Sequence, residues 1–211
     1  LTGKSDELLT QLLLSKNSDG MTPLHWALSI GINDPECLEK LIDPAKEVLT
    51  IQDRHTLTPL HLAICKGIFN RAFLKKLIDP AKQVLTMQDS ERDTPLHKAF
   101  CYGLNDLDFI REELIDPAGE ILTIKNWLEA TPLHLALGYG QTDTNLLERL
   151  IDPKNKVLGI QDQNGNTPLH YAFALRLPSD LLKRLFGPDI DQQKASVHLA
   201  DEEGRTLLHD A

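Results

Sequence analysis

The sequence predicts an all-α fold: a solenoid of stacked helix-turn-helix repeats. Three observations predict it. Thr22-Pro23-Leu24-His25 returns as Thr58-Pro59-Leu60-His61, Thr94-Pro95-Leu96-His97, Thr131-Pro132-Leu133-His134 and Thr167-Pro168-Leu169-His170, with a looser sixth copy, Thr206-Leu207-Leu208-His209. The steps between these threonines are 36, 36, 37, 36 and 39 residues, the near-fixed period of a repeat array. Each word also reads as a helix start. Threonine is an N-cap whose hydroxyl accepts from a backbone N–H two or three residues on, proline suits the first helical position, and leucine is the first core residue.

In chain order, residues 1–16 are expected to form an N-terminal capping helix. It runs from Ser5 to about Leu14 with Leu8, Leu9, Leu12 and Leu13 inward, as the second helix of an incomplete repeat. Full repeats are expected at 17–52, 53–88, 89–125, 126–161 and 162–200, and the start of a sixth at 201–211, all in a single solenoid domain. The first helix of each carries Ala27, Ala63, Ala99, Ala136 or Ala172 two residues after the histidine, small enough to let adjacent helices approach. Gly31, Gly67, Gly103 and Gly140 follow as left-handed C-caps. Arg176 holds that place in the fifth copy, where the turn is expected to close differently.

Asp34, Asn70, Asp106, Asp143 and Ser179 then read as caps of a second helix. Leu38, Leu41 and Ile42 give it helical spacing in the first copy, and the step of 37 predicts one extra residue in the third. Leu-Ile-Asp-Pro at 41–44, 77–80, 114–117 and 150–153 ends this helix, because the residue before proline avoids the α region. Asp43-Pro44 also opens a short extra turn with Val48 and Leu49 inward. The Asp-Pro-Ala-Lys inserts are nearly identical between copies, which suits architecture better than a partner site. The last linker, Gly187 to Ala200, is three residues longer than the others.

Composition narrows the function. A net charge of −9 and a pI near 5.3 oppose nucleic-acid binding, which needs cations against phosphates, and anionic membranes for the same reason. No apolar run approaches the ~20 residues of a membrane span, so membrane insertion is not expected. Cys65 and Cys101 share one slot in successive repeats and Cys37 leaves the count odd. One repeat spacing exceeds the ~7 Å that a disulfide bridges, so reduced thiols and a cytoplasmic location are expected. A chain that starts at Leu1 and stops at Ala211 inside a repeat is expected to be a piece of something longer.

Six of the eight histidines sit in the repeated word and are expected to be hydrogen-bonded scaffold. The other two, His55 and His198, have no Cys or His at ligand spacing. There is no glycine-rich phosphate loop and no Gly-x-Ser-x-Gly elbow. Glu112-Glu113 and Glu202-Glu203 are adjacent and diverge on a helix. No catalytic residue, cofactor or metal site is expected within the chain, and any catalysis is expected to lie outside it.

The unit Asp-x-x-Gly-x-Thr-Pro-Leu-His-x-Ala, set in a helix-turn-helix, resembles the ankyrin repeat over nearly the whole chain. The resemblance implies a curved stack of antiparallel helix pairs with short β-hairpin fingers. Partners of such stacks usually bind the fingertips and the concave face of the first helices. The chain departs from the family in its period, which exceeds the usual ~33 residues. It also carries Thr56, Arg92 and Glu129 where the fingertip glycine is kept as Gly20, Gly165 and Gly204. Those three turns either strain a left-handed residue or use another turn type. Thr50, Thr86, Thr123 and Gly159 stand where the family usually has asparagine.

Aligned to the family, the partner-binding candidates are Arg54, His55, Leu57, Lys66, Tyr102, Trp127, Leu128 and Tyr139. Aromatics make up 5% of the chain, yet three of these eight are aromatic, the residue type of binding hot spots. The competing reading is that they pack against neighbouring fingers. Trp26, directly after a motif histidine, is expected to be structural packing. The expected function is a protein–protein interaction module, a monomer that binds a protein partner. The alternatives are the targeting or substrate-recruiting part of a larger enzyme or host-directed effector, which would place it in a host cytosol, and a self-associating scaffold.

Overall fold

A computed structural model describes residues 2–43, 45–115, 119–151 and 157–186, with side chains from Ser5 onward. The chain forms two compact units, Leu1–Ala118 and Gly119–Ala211. In the first, α1 (Thr2–Leu14) precedes three helix pairs: α2 (Pro23–Ser29) with α3 (Pro35–Ile42), α4 (Pro59–Cys65) with α5 (Arg71–Lys76), and α6 (Pro95–Cys101) with α7 (Leu107–Phe109). Helix α2 stacks on α4 and α4 on α6. The second unit pairs α8 (Pro132–Gly138) with α9 (Thr144–Leu150) and holds α10 (Pro168–Ala174) and α11 (Ser179–Phe186). There α8 stacks on α10 and α9 on α11. This is the repeat fold that the period predicts.

The repeated word works as a two-way cap. In all five described copies the histidine ring accepts from the threonine backbone N–H, and in the first three the threonine side chain also accepts from the histidine backbone N–H. Histidine therefore fills the place that glutamate or glutamine takes in a capping box. Leu24, Leu60, Leu96, Leu133 and Leu169, one residue earlier, are buried. The extra turns after the second helices are 3₁₀ turns, Lys46–Thr50, Gln83–Leu85, Gly119–Thr123 and Val157–Gly159. They bury Val48, Leu49, Val84, Leu85, Ile121, Leu122 and Val157, so the inserted residues extend the core.

Several expectations need correction. Helix α1 buries Leu13 but leaves Leu8, Leu9 and Leu12 about half exposed, at 57%, 46% and 56%. Its main packing among the described elements is on α2 and the 3₁₀ turn Lys46–Thr50, which leaves Leu13 alone of the four leucines buried. Arg176 closes its turn as the glycines do, in the left-handed region at φ 53°, with Leu177 N–H donating to the Ala172 carbonyl as Ile68 N–H does to Ala63. Ser179 lies inside α11 and not ahead of it. The extra residue of the third repeat is absorbed as a π-helical turn, Ile110–Ile115, following α7; one added residue widens a helical turn in this way.

Thr56, Arg92 and Glu129 are left-handed, at φ 57°, 58° and 56°. Among the described residues no strand forms, and each finger is a tight turn. Asp53 N–H donates to Leu57 O and Thr56 N–H to Asp53 O, both at 3.0 Å. Of the Asp-Pro-Ala-Lys inserts only Asp79-Pro80-Ala81-Lys82 is described throughout; Asp79 Oδ1 caps it by accepting from Val84 N–H at 2.9 Å. The sixth word, His198, the linker from Gly187, the Glu202-Glu203 pair and the fingertip glycine Gly204 lie outside the described residues.

Candidate functional site

The fingers are built by one side chain each. Asp53 Oδ1 accepts from His55 N–H at 2.8 Å and Leu57 N–H at 2.9 Å, and Asp89 Oδ1 does the same for Glu91 and Asp93 at 2.9 Å. Asn17 repeats the pattern, and so do Asn126 and Asp162 in the second unit. Neighbouring fingers then join backbone to backbone: Arg54 N–H donates to Asp19 O at 2.9 Å and Ser90 N–H to His55 O at 3.1 Å.

Within each unit, histidine locks a finger to the first helix of the repeat before it. The Thr22 and Thr58 backbone N–H groups donate to Nδ1 of His25 and His61, so Nδ1 is unprotonated and Nε2–H donates onward. The acceptors are Leu57 O at 3.0 Å and Asp93 O at 3.1 Å, and His134 likewise reaches Asn166 O at 3.1 Å. Burial holds His61 and His134 down at about 4, and lowers His25 as well. These histidines are neutral scaffold, as the repeated word predicts.

With Oδ1 committed to the finger, Oδ2 is left for the side chain nine residues on, in the first helix. In the third repeat that side chain is Lys98, buried at 4% exposure. Its Nζ lies 2.9 Å from Asp89 Oδ2, 2.9 Å from Asp93 Oδ2 and 2.5 Å from Glu91 Oε2. Burial opposes its charge, but hydrogen bonds to Glu91, Asp89 and Asp93 outweigh burial and raise its pKa. The three carboxylates are close enough together to hold a cation, and the Lys98 ammonium is that cation. In the fifth repeat Tyr171 Oη donates to Asp162 Oδ2 at 2.7 Å. The first and fourth repeats carry neutral Asn17 and Asn126 opposite Trp26 and Leu135. The second repeat alone breaks the pairing among these five: Asp53 faces the place of Leu62, and its Oδ2 is buried without a hydrogen-bond partner.

In the first unit an open groove of about 440 Å³ lies between the fingers at 53–57 and 89–93 and helices α4 and α6. Its walls include Asp53, Leu57, Leu62, Glu91, Lys98 and Tyr102. Four sequence candidates fall here: His55, Leu57, Lys66 and Tyr102. Tyr102 is 49% exposed and pairs with the Cys65 thiol, whose pKa burial raises. Arg54 is turned to the adjacent finger, where it meets Asp19 at 2.6 Å and donates to His55 Nε2 at 3.0 Å.

The remaining candidates are in the second unit. Trp127 and Tyr139 are 57% and 62% exposed, and Leu128 is half-buried with its carbonyl accepting from Gln163 N–H at 2.8 Å. Trp26, expected to pack, is 53% exposed instead. Sequence reasoning missed Asp53, Leu62 and Lys98 as site residues. The available signal was the one variable position inside a constant frame: Trp26, Leu62, Lys98, Leu135 and Tyr171. No disulfide links Cys37, Cys65 and Cys101, and no described helix is long and apolar enough to cross a membrane.

Comparison with known proteins gives one consistent answer. The family model of three ankyrin repeats matches residues 105–196 and that of a single ankyrin repeat matches residues 19–54. Among solved structures, the chain is similar to the ankyrin repeat domain of Bcl-3, a member of the IkappaB protein family. The identity is 21% and the TM-score 0.67, over 99% of this chain and 86% of that one. No match was found among curated proteins. The family models together span more than half of the sequence, and the chain belongs to the ankyrin-repeat family.

Proposed function

We propose that the chain is a protein-interaction module that docks a protein partner on its finger side, with the groove of the first unit as the principal contact. The observation that carries this reading is Tyr102. In a chain with 5% aromatics it stands half exposed in a groove with Leu57 and Leu62 beside it and charged side chains at its edge. Large amphipathic rings of this kind anchor interfaces by burying much area at little conformational cost. Trp127 and Tyr139 offer a second exposed aromatic surface in the other unit. In the first unit the constant parts of the repeats form caps and core, and the variable Leu62, Lys66, Lys98 and Tyr102 line the groove.

A photo-crosslinking amino acid at Tyr102 should label a specific partner in cytosolic extract, and the same group at exposed Lys40 should not. The paired exchanges Leu57→Ala and Tyr102→Ala should abolish capture while circular dichroism and the melting curve stay unchanged. Undiminished capture by the folded double variant would overturn the assignment of the groove.

A further inference from the structure

We propose that the groove takes a basic side chain, arginine or lysine, from the docked partner, with the Asp53 carboxylate as its acceptor. This deepens the docking reading above and rests on it. The inference comes from comparing the molecule with itself. Asp89 has Lys98 at its Oδ2 and Asp162 has Tyr171, whereas Asp53 Oδ2 has nothing. Asp53 is only 6% exposed, and a buried carboxylate oxygen with no donor is costly to maintain. Leu62, at the place of Lys98, supplies no donor.

The groove favours a cation from outside. Asp53, Asp89 and Glu91 line it, and of its two lysines Lys66 is exposed while Lys98 is already shared among Asp89, Glu91 and Asp93. Leu57, half-buried in the groove wall, offers apolar surface to the long stem of lysine or arginine. Tyr102 offers a ring to a guanidinium or ammonium passing over it. The net charge of −9 draws basic partners to the chain as a whole. A guest cation at Asp53 would reproduce, between two molecules, the ion pair that Lys98 makes within one.

The test is an NMR titration of the intact 15N-labelled chain with N-acetyl-arginine methylamide and with its neutral isostere, N-acetyl-citrulline methylamide. The amides of His55 and Leu57 donate to the same carboxylate and report on it directly. They should shift saturably with the arginine probe and bind the citrulline probe about tenfold more weakly or worse. Asp53→Asn keeps the finger, as Asn17 and Asn126 do in other repeats, and should abolish the arginine response. Leu62→Lys installs the missing cation in place and should abolish it too, with a higher melting temperature.

Equal response to the two probes, a response retained in Asp53→Asn, or no saturable shift at His55 and Leu57 overturns the inference. If the probe fails while partner capture still depends on Leu57 and Tyr102, the basic-side-chain inference falls and the docking reading stands.

Discussion

A histidine whose Nδ1 accepts a backbone proton and whose Nε2–H donates to a carbonyl has no room for a second proton, and this has a consequence for stability. His61 and His134 are held at about 4 in the folded chain by burial, against an ordinary value of about 6.5 when unfolded. Between those values the unfolded chain binds more protons than the folded one, so stability falls as pH falls. The contribution is fully present above about pH 6.5 and is lost progressively toward pH 4. From pH 7 to pH 5 each of the two histidines should cost about 2 kcal/mol. Urea unfolding at pH 7, 6 and 5 measures this, and a flat unfolding free energy across that range would contradict the neutral-scaffold assignment. The role of these histidines was legible from the sequence, because the word Thr-Pro-Leu-His is local and its four residues meet within one helical turn. The Asp53–Leu62 mismatch was not. Its two side chains belong to different elements, and the missing partner becomes visible only beside the completed pairs at Asp89 and Asp162.

At the scale of the element, left-handed turns divide into those that need glycine for its backbone alone and those that also need its missing Cβ. Gly31 follows α2 at φ 84°, and a methyl group added there would meet nothing within 4 Å. Gly20, at the first fingertip, has φ 73°, and a Cβ there would meet Arg54 N at 2.9 Å and Asp53 C at 3.2 Å. Gly31→Ala should therefore cost only the left-handed penalty of about 1–2 kcal/mol. Gly20→Ala should cost clearly more, because two backbones joined by the Arg54–Asp19 hydrogen bond must separate. Comparative thermal melts decide it, and equal losses would mean that the fingers yield freely. Thr56, Arg92 and Glu129 hold the same fingertip position without glycine, so the turn type was settled by the finger hydrogen bonds that Asp53, Asp89 and Asn126 impose. The sequence offered both turn types and could not choose between them. The step of 37 announced an extra residue in the third repeat, but whether it lengthens a helix or widens one turn depends on packing at both ends of the element. In α1 the leucine spacing was real and the inference of burial was wrong for three of four, because periodicity describes a face and not what covers it.

At the scale of the whole molecule, charge sets how partners arrive. The net charge of −9 produces a field that extends over a Debye length, about 8 Å at physiological salt. Lys66 is exposed and lines the groove of the first unit, so it opposes that field where the proposed basic side chain would land. Lys66→Glu removes one positive charge and adds one negative, taking the net charge from −9 to −11. The folded state should be unaffected, since exchanges at such exposed positions usually change stability by less than about 0.5 kcal/mol. The association rate of an arginine-bearing peptide should rise and its dependence on salt should steepen, while the dissociation rate changes little, because rim charges act mainly on encounter. Stopped-flow association at low and at physiological ionic strength separates the two rates. A partner that binds through apolar contacts alone would show neither the faster association nor the steeper salt dependence, and an association rate that falls in Lys66→Glu would mark Lys66 as a contact for an acidic partner instead.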